Sequence, residues 1–266
     1  IHDCPFIPAS RPWPSRLRLL AKQALARVGR SSAKTPVLIV GPEEVARGDV
    51  DLRSFLTLSG QTIAGCVSGA AAFVEAFSAA RGQLHRVPEV IVLAVDSRIE
   101  RAEVERWAET RYSTFTRNPA PPSEGAAALR FVSSPEAARA GEVLSFAGAR
   151  GEATDDNDAP ADGVALARVF GELSLPPHMP LVVGPYDLDS LRIRDFHLAA
   201  VRHHERLGSA EMRSLDGKLG TLGSAGGLMS VAFALASLRP REETSALAWA
   251  RSRDGAVGAA LVRGPR

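Results

Sequence analysis

Thr62-Ile63-Ala64-Gly65-Cys66-Val67-Ser68-Gly69-Ala70 is the stretch on which the fold turns. Uncharged, strand-like residues run into Gly69, and from Gly69 to Ala80 the only charged residue is Glu75. A helix that is apolar all round belongs inside a core. The local order is therefore strand, small-residue turn, buried helix. Cys66 is expected at the mouth of that helix. Unpaired N–H groups and the positive end of the helix dipole there favour thiolate over thiol. The same N–H groups can hold a developing oxyanion, and the small neighbours Gly65, Ser68 and Gly69 let a substrate approach the backbone. The other reading is a cysteine that fills a small gap, as most free cysteines do. The residues alone leave both open.

A second stretch reads the same way. Thr221-Leu222-Gly223-Ser224-Ala225-Gly226-Gly227-Leu228 opens a helix predicted near 226–238. Two strands follow, 245–251 and 257–262, joined by a turn at Asp254-Gly255. The first stretch is followed by predicted strands at 90–95 and 127–132. Chance similarity between Gly/Ala strings is one explanation, but the matching order of later elements predicts an internal duplication. No charge occurs from Leu219 to Leu238, which is nearly enough length to span a bilayer. Gly, Ser and Ala dominate that run and no one-sided Lys/Arg bias flanks it, so burial in a large core is the expectation.

Outward from these two stretches, residues 15–28 carry apolar positions at helical spacing (Leu17, Leu20, Ala21, Ala24, Leu25, Val28), with Gly29 as a stop. A short strand is predicted at 37–40. Val90–Val95 is a continuous apolar run, as for a strand covered on both faces. Residues 100–109 read as a polar helix, 118–123 as a Pro-rich loop, 164–170 and 191–206 as helices, and 181–183 as a strand. Residues 151–163 (GEATDDNDAPADG) have nothing to bury and read as an acidic loop. The expected organisation is a first half, 1–150, this loop, and a second half, 164–266. Of the 266 residues 45% are hydrophobic, and 32 basic residues stand against 30 acidic ones. That balance gives no footprint for nucleic acid. Two distant cysteines, Cys4 and Cys66, offer neither a disulfide framework nor a metal spacing. No cofactor is expected. Nothing near Ile1 has the order of a signal peptide, so a cytoplasmic location is expected.

Four motifs in this order carry a resemblance. Cys66-Val67-Ser68-Gly69 resembles the nucleophile motif of the β-ketoacyl synthases, in the thiolase-like superfamily. Val95-Asp96-Ser97 resembles the Asp-Ser strand ending found there. Ser123-Glu124-Gly125-Ala126-Ala127-Ala128-Leu129 resembles a Gly-Glu-Gly/Ala-Ala core-strand entry, and Thr221–Leu228 resembles the segment after the second catalytic histidine. The resemblance runs from about residue 38 to 262. It implies a five-layered α/β/α/β/α fold from two duplicated halves, with the N-terminal part shortened. It also implies a homodimer or ketosynthase-like heterodimer, and acyl carrier protein or acyl thioesters as partners.

The departures bear on activity. The position of the second histidine is Gly220, and that of the upstream lysine is near Leu215. Gly184-Pro185-Tyr186-Asp187 holds no first histidine. Arg253-Asp254-Gly255-Ala256-Val257-Gly258 replaces the Gly-Phe-Gly-Gly loop. His2, His85, His178, His197, His203 and His204 read as solvated or structural. The expectation is a non-condensing, ketosynthase-like partner or scaffold. Its remnant site would comprise Cys66 as nucleophile, with Ser68, Gly220, Thr221 and Gly255 around an acyl pocket. The alternative is an acyltransferase that forms a thioester on Cys66, since acyl transfer does not need the decarboxylating pair. An unrelated phosphate-cradling α/β protein is a third reading, without the glycine spacing that would support it.

Overall fold

Strand and helix alternate along the chain as the two hydrophobic periods predict. In a computed structural model, residues 11–28, 35–52, 61–99, 104–105, 107–109, 121–134, 141–151, 163–185, 190–238, 245–252 and 254–265 are described. The first half holds α1 (Trp13–Val28), β1 (Pro36–Gly41), α2 (Glu43–Arg47), β2 (Thr62–Ser68), a 3-10 turn (Ala70–Ala72), α3 (Phe73–Gln83), β3 (Glu89–Ser97) and β4 (Glu124–Val132). Next come β5 (Glu142–Arg150), α4 (Val164–Glu172), β6 (Leu181–Gly184), α5 (Ser190–Arg202), α6 (His204–Leu207) and β7 (Glu211–Ser214). The chain continues with α7 (Asp216–Leu219), a second 3-10 turn (Gly223–Ala225), α8 (Gly226–Leu238), β8 (Ser245–Arg251) and β9 (Ala256–Arg263).

Two sheets form, in the orders β2-β1-β3-β4 and β5-β9-β8-β6-β7. In the first, β1 is parallel to β2 and β3, and β4 is antiparallel to β3. In the second, β6 is parallel to β7 and β8, and β9 is antiparallel to β8. The two patterns coincide strand for strand, and α3 and α8 occupy the same place after β2 and β7. The duplication is real.

Alternation along each strand explains the layers. Leu38, Val40, Val90, Val92 and Ala94 face a central core, which Leu181, Val183, Ala246, Ala248 and Val262 reach from the second sheet. Between them lie α3 and α8, through Phe73, Phe77, Leu228 and Val231. The intervening residues face outward. Val37, Ile39, Ile91 and Leu93 pack on Leu17, Leu20 and Ala21 of α1. Val182, Leu247 and Trp249 pack on Phe170 of α4 and Phe196 of α5. The order is α/β/α/β/α, and double coverage is why Val90–Val95 carries no polar residue. α8 is apolar on every side because a sheet lies on either side of it, and residues 219–238 are not one helix. Among the described residues no helix is long and apolar enough to cross a membrane.

The structure corrects several expectations. β5 pairs with β9 across its length. Residues 142–150 therefore share the second sheet with β6–β9, though they lie within the span expected of the first half. β5 has no continuous apolar run to mark it as a strand, because its half-buried pattern mixes Glu142, Ser145 and Gly148 with apolar residues. The first sheet has no counterpart of β5 among the described residues, in keeping with a shortened N-terminal half. β7 is four residues long with Glu211 and Arg213 in it, too short and charged to read as a strand. The helix expected over 191–206 breaks at His203, which leaves helical backbone geometry at φ −119°. His2, Cys4, residues 152–162 of the acidic loop, Tyr186, Asp187, Arg253 and half of the polar helix at 100–109 lie outside the described residues.

Candidate functional site

β2 does not stop at Cys66. It continues to Ser68, turns at Gly69 and only then opens the 3-10 turn and α3. Gly69 has φ 99°, a left-handed value that an L side chain adopts only under strain. Cys66 therefore lies inside the strand, paired with Ile39, rather than at the helix mouth. Its neighbour Val67 faces the central core, so alternation turns Cys66 to the opposite face, towards α1 and α2. There its half-buried thiol borders a cavity of about 260 Å³ with Val45, Arg47 and Val50.

At the mouth of α3 stand three alanines. The N–H of Ala71 donates to Ser252 Oγ at 2.8 Å, reaching across from the end of β8. Ser252 is 8% exposed. A Cβ on Gly69 would lie 2.7 Å from that hydroxyl oxygen, so the glycine is needed for this approach as well as for its φ.

The second turn meets the first head-on. Asp96, at the end of β3, accepts from the N–H of Ser224 at 2.7 Å through Oδ2 and from the N–H of Ser97 at 2.7 Å through Oδ1. Gly223 is in the left-handed region at φ 54°, and a Cβ there would sit 2.2 Å from Asp96 Oδ2. The Gly-rich character of this turn serves close packing onto a carboxylate. Gly220, at φ 76°, packs against Pro121 O and Ser123 instead of the space between the turns.

Between the turns lies a cavity of about 410 Å³. Ser68 and Ala70 line it from the first turn, Thr221 and Ser224 from the second, and Ser252 and Asp254 from the β8–β9 connection. Of the residues singled out in the sequence, Ser68 and Thr221 meet here. Cys66 does not, being on the far side of the sheet, and Gly220 and Gly255 stand behind the wall. Arg98, Arg150 and Arg251 also line the space, and nothing in the sequence flagged them because an isolated arginine has no local signature. Each has an acid nearby. Arg150 donates to Asp254 Oδ2 at 2.9 Å, Arg251 pairs with Asp195, and Arg98 acts on Asp96. None of the five described histidines lines the cavity, and His203 bonds the carbonyl of Ala167 at 2.8 Å. Among the described residues no group of three or more His, Cys, Asp or Glu could hold a metal ion.

Burial pushes the Asp96 carboxyl above its ordinary value, against the opposing pull of the Ser224 N–H, Arg98 and the Ser97 N–H. The Arg150 hydrogen bond holds the largely exposed Asp254 below its ordinary value. For Asp96 the folded state binds the extra proton, so its contribution is full below about pH 3.8 and is lost as pH rises through the folded value. Asp96→Asn, which lacks the second acceptor oxygen, is expected to be less stable than the natural chain. The gap should narrow as pH rises above 3.8. Urea unfolding of both proteins at several pH values measures it, and a gap that widens with pH would contradict this account.

No family model and no curated protein matches the sequence. Solved structures do match. The ketosynthase from module 6 of the bacillaene synthase of Bacillus subtilis 168 superposes with a TM-score of 0.70 at 13% identity, covering 97% of this chain and 60% of that one. The 3-oxoacyl-(acyl carrier protein) synthase III, FabH, of Pseudomonas aeruginosa PAO1 gives 0.61 at 15% identity, over 97% and 84%. The ishigamide ketosynthase/chain length factor gives 0.58 at 18%, over 93% and 80%. With two equivalent sheets around paired central helices, the chain has a shortened, ketosynthase-like thiolase fold.

Proposed function

We propose that this protein is a non-condensing ketosynthase-like chain that acts as a partner or scaffold in acyl-thioester metabolism of the fatty-acid or polyketide type. The observation that carries the reading is the composition of the cavity between the two turns, which among the described residues has neither a cysteine nor a histidine in its wall. Covalent acyl transfer needs a nucleophile beside a base, and decarboxylation needs donors on the developing charge. Ala70–Ala72 and Gly220 provide no side chain for either role. A ketosynthase/chain length factor is one of the structures of similar fold, which favours pairing with a second chain of the same type. β2 supports this. Among the described residues it is an edge strand of seven residues without a charge, the kind of edge that accepts another strand.

A second reading rests on the cavity beside Cys66: an acyltransferase in which that thiol forms the thioester. One experiment separates the two. The protein is incubated with acetyl- and octanoyl-thioesters of pantetheine and of acyl carrier protein, and its intact mass is followed. The mass should stay unchanged, and Cys66→Ala should alter no association or stability beyond a small packing loss. An adduct that Cys66→Ala abolishes would replace the first reading with the second. In parallel, sedimentation should show a dimer that Ala64→Lys, on the exposed side of β2, weakens at least roughly tenfold. A monomer at all concentrations would remove the homodimer.

A further inference from the structure

Ser252 is buried, and its hydroxyl is aimed at a backbone N–H in the turn that leads into α3. Its Oγ lies 2.8 Å from the Ala71 nitrogen, in the first turn leading into α3. The segment carrying it is clamped from several sides. The Ser252 N–H donates to Ala256 O at 2.8 Å and the Gly255 N–H to Ser252 O at 3.2 Å, closing a tight turn. The Gly151 N–H donates to Gly255 O at 3.0 Å, tying the turn to the end of β5. On one flank Arg251 pairs with Asp195, which is 3% exposed. On the other, Asp254 accepts from Arg150.

We infer that Ser252 is a built-in stopper, its hydroxyl standing in for a ligand oxygen on the Ala71 N–H and keeping that donor from substrates. Backbone N–H groups at a helix start are the donors that catalytic sites aim at developing oxyanions. A hydroxyl already bonded there competes with any such oxygen intramolecularly, at an effective concentration that no free ligand reaches. The inference takes its setting from the non-condensing reading, but the two fail separately. That reading falls on an acyl adduct, and this one falls on the behaviour of a single amide.

The test uses the full chain, its Ser252→Gly and Ser252→Ala variants, and sodium acetate as the probe. Amide exchange and the 1H–15N resonance of Ala71 are followed. In the natural protein this amide should be protected and indifferent to acetate. In Ser252→Gly, protection should fall roughly fivefold, the worth of one such hydrogen bond, and acetate should move the Ala71 resonance saturably and restore protection. Ser252→Ala, which keeps the Cβ and loses only the hydroxyl, should also lose protection, and serves alone if the glycine variant does not fold. A saturable acetate response in the natural protein, or variants whose exposed amide ignores acetate, would overturn the inference.

Discussion

Gly227→Ala is expected to cost the protein about 3 kcal/mol or more, at or above the usual range for forcing a methyl into a filled core, and Gly227→Val to prevent folding at ordinary temperatures. Gly227 lies in α8, where it crosses the start of α3. A Cβ there would fall 2.0 Å from the carbonyl oxygen of Ala70 and 2.5 Å from the ring of Phe73. The first obstacle is backbone and cannot rotate away. Phe73 is fully buried and in edge contact with Phe77 at 5.4 Å, which is packed on Phe131 and Phe146 in turn. Relief therefore requires the paired helices to part, and with them the sheets on both sides. Net stability of a domain is roughly 5–15 kcal/mol, so one such change is a large fraction of it. Gly82→Ala provides the control. Gly82 is also helical, but nothing lies within 4 Å of its added Cβ, and the alanine should stabilise by about 0.5–1 kcal/mol. Denaturant midpoints of the three proteins give the comparison. Equal midpoints for Gly227→Ala and Gly82→Ala would mean that the central helices do not touch at this point.

Glu124→Ala is the second large effect expected, a loss of about 3–5 kcal/mol, typical of removing one partner from a buried ion pair. Arg16 in α1 has a side chain only 3% exposed. Its Nε and Nη2 donate to Glu124 Oε2 at 3.0 and 2.6 Å, and Ser97 Oγ donates to the same oxygen at 2.9 Å. Trp13, one turn earlier, donates from Nε1 to the carbonyl of Ser97 at 2.8 Å. Without Glu124 the buried guanidinium loses both of these donations, and Ser97 Oγ loses its acceptor. Arg16→Leu combined with Glu124→Leu should recover most of the loss, since apolar replacement of both partners removes the dehydration cost as well. The same network ends next to Asp96, which holds the second turn through Ser224. Trp13 fluorescence in Glu124→Ala should therefore report release of α1 before global unfolding. A double variant no more stable than Glu124→Ala would show that the ion pair itself, and not its half-removal, supports the fold.

Both changes fall on residues whose importance was partly legible in the sequence. Asp96 and Glu124 stood in motifs, and Gly227 stood in a Gly-rich turn that matched another turn upstream. Their roles were not legible. Glu124 reads as a strand-entry residue until Arg16 is seen beside it, 108 positions away in the chain. Arg98, Arg150 and Arg251 had no signal at all, since they converge from three separate strand ends.

The sequence by itself determined the periods. Two-residue alternation, continuous apolar runs and two helices without a polar face required strands covered on both sides and helices enclosed between sheets, and the repeated order required two like halves. Only the tertiary structure decided which strand β5 joins, since hydrogen bonding across a ladder is set by a partner more than a hundred residues away. It alone also decided where Cys66 points. β2 continues past Cys66 to Ser68, so Cys66 is an ordinary strand residue next to the core-facing Val67, and alternation with every residue puts its thiol on the other face of the sheet. Local sequence fixes how often a residue faces one way. The point at which the strand ends fixes which residue does.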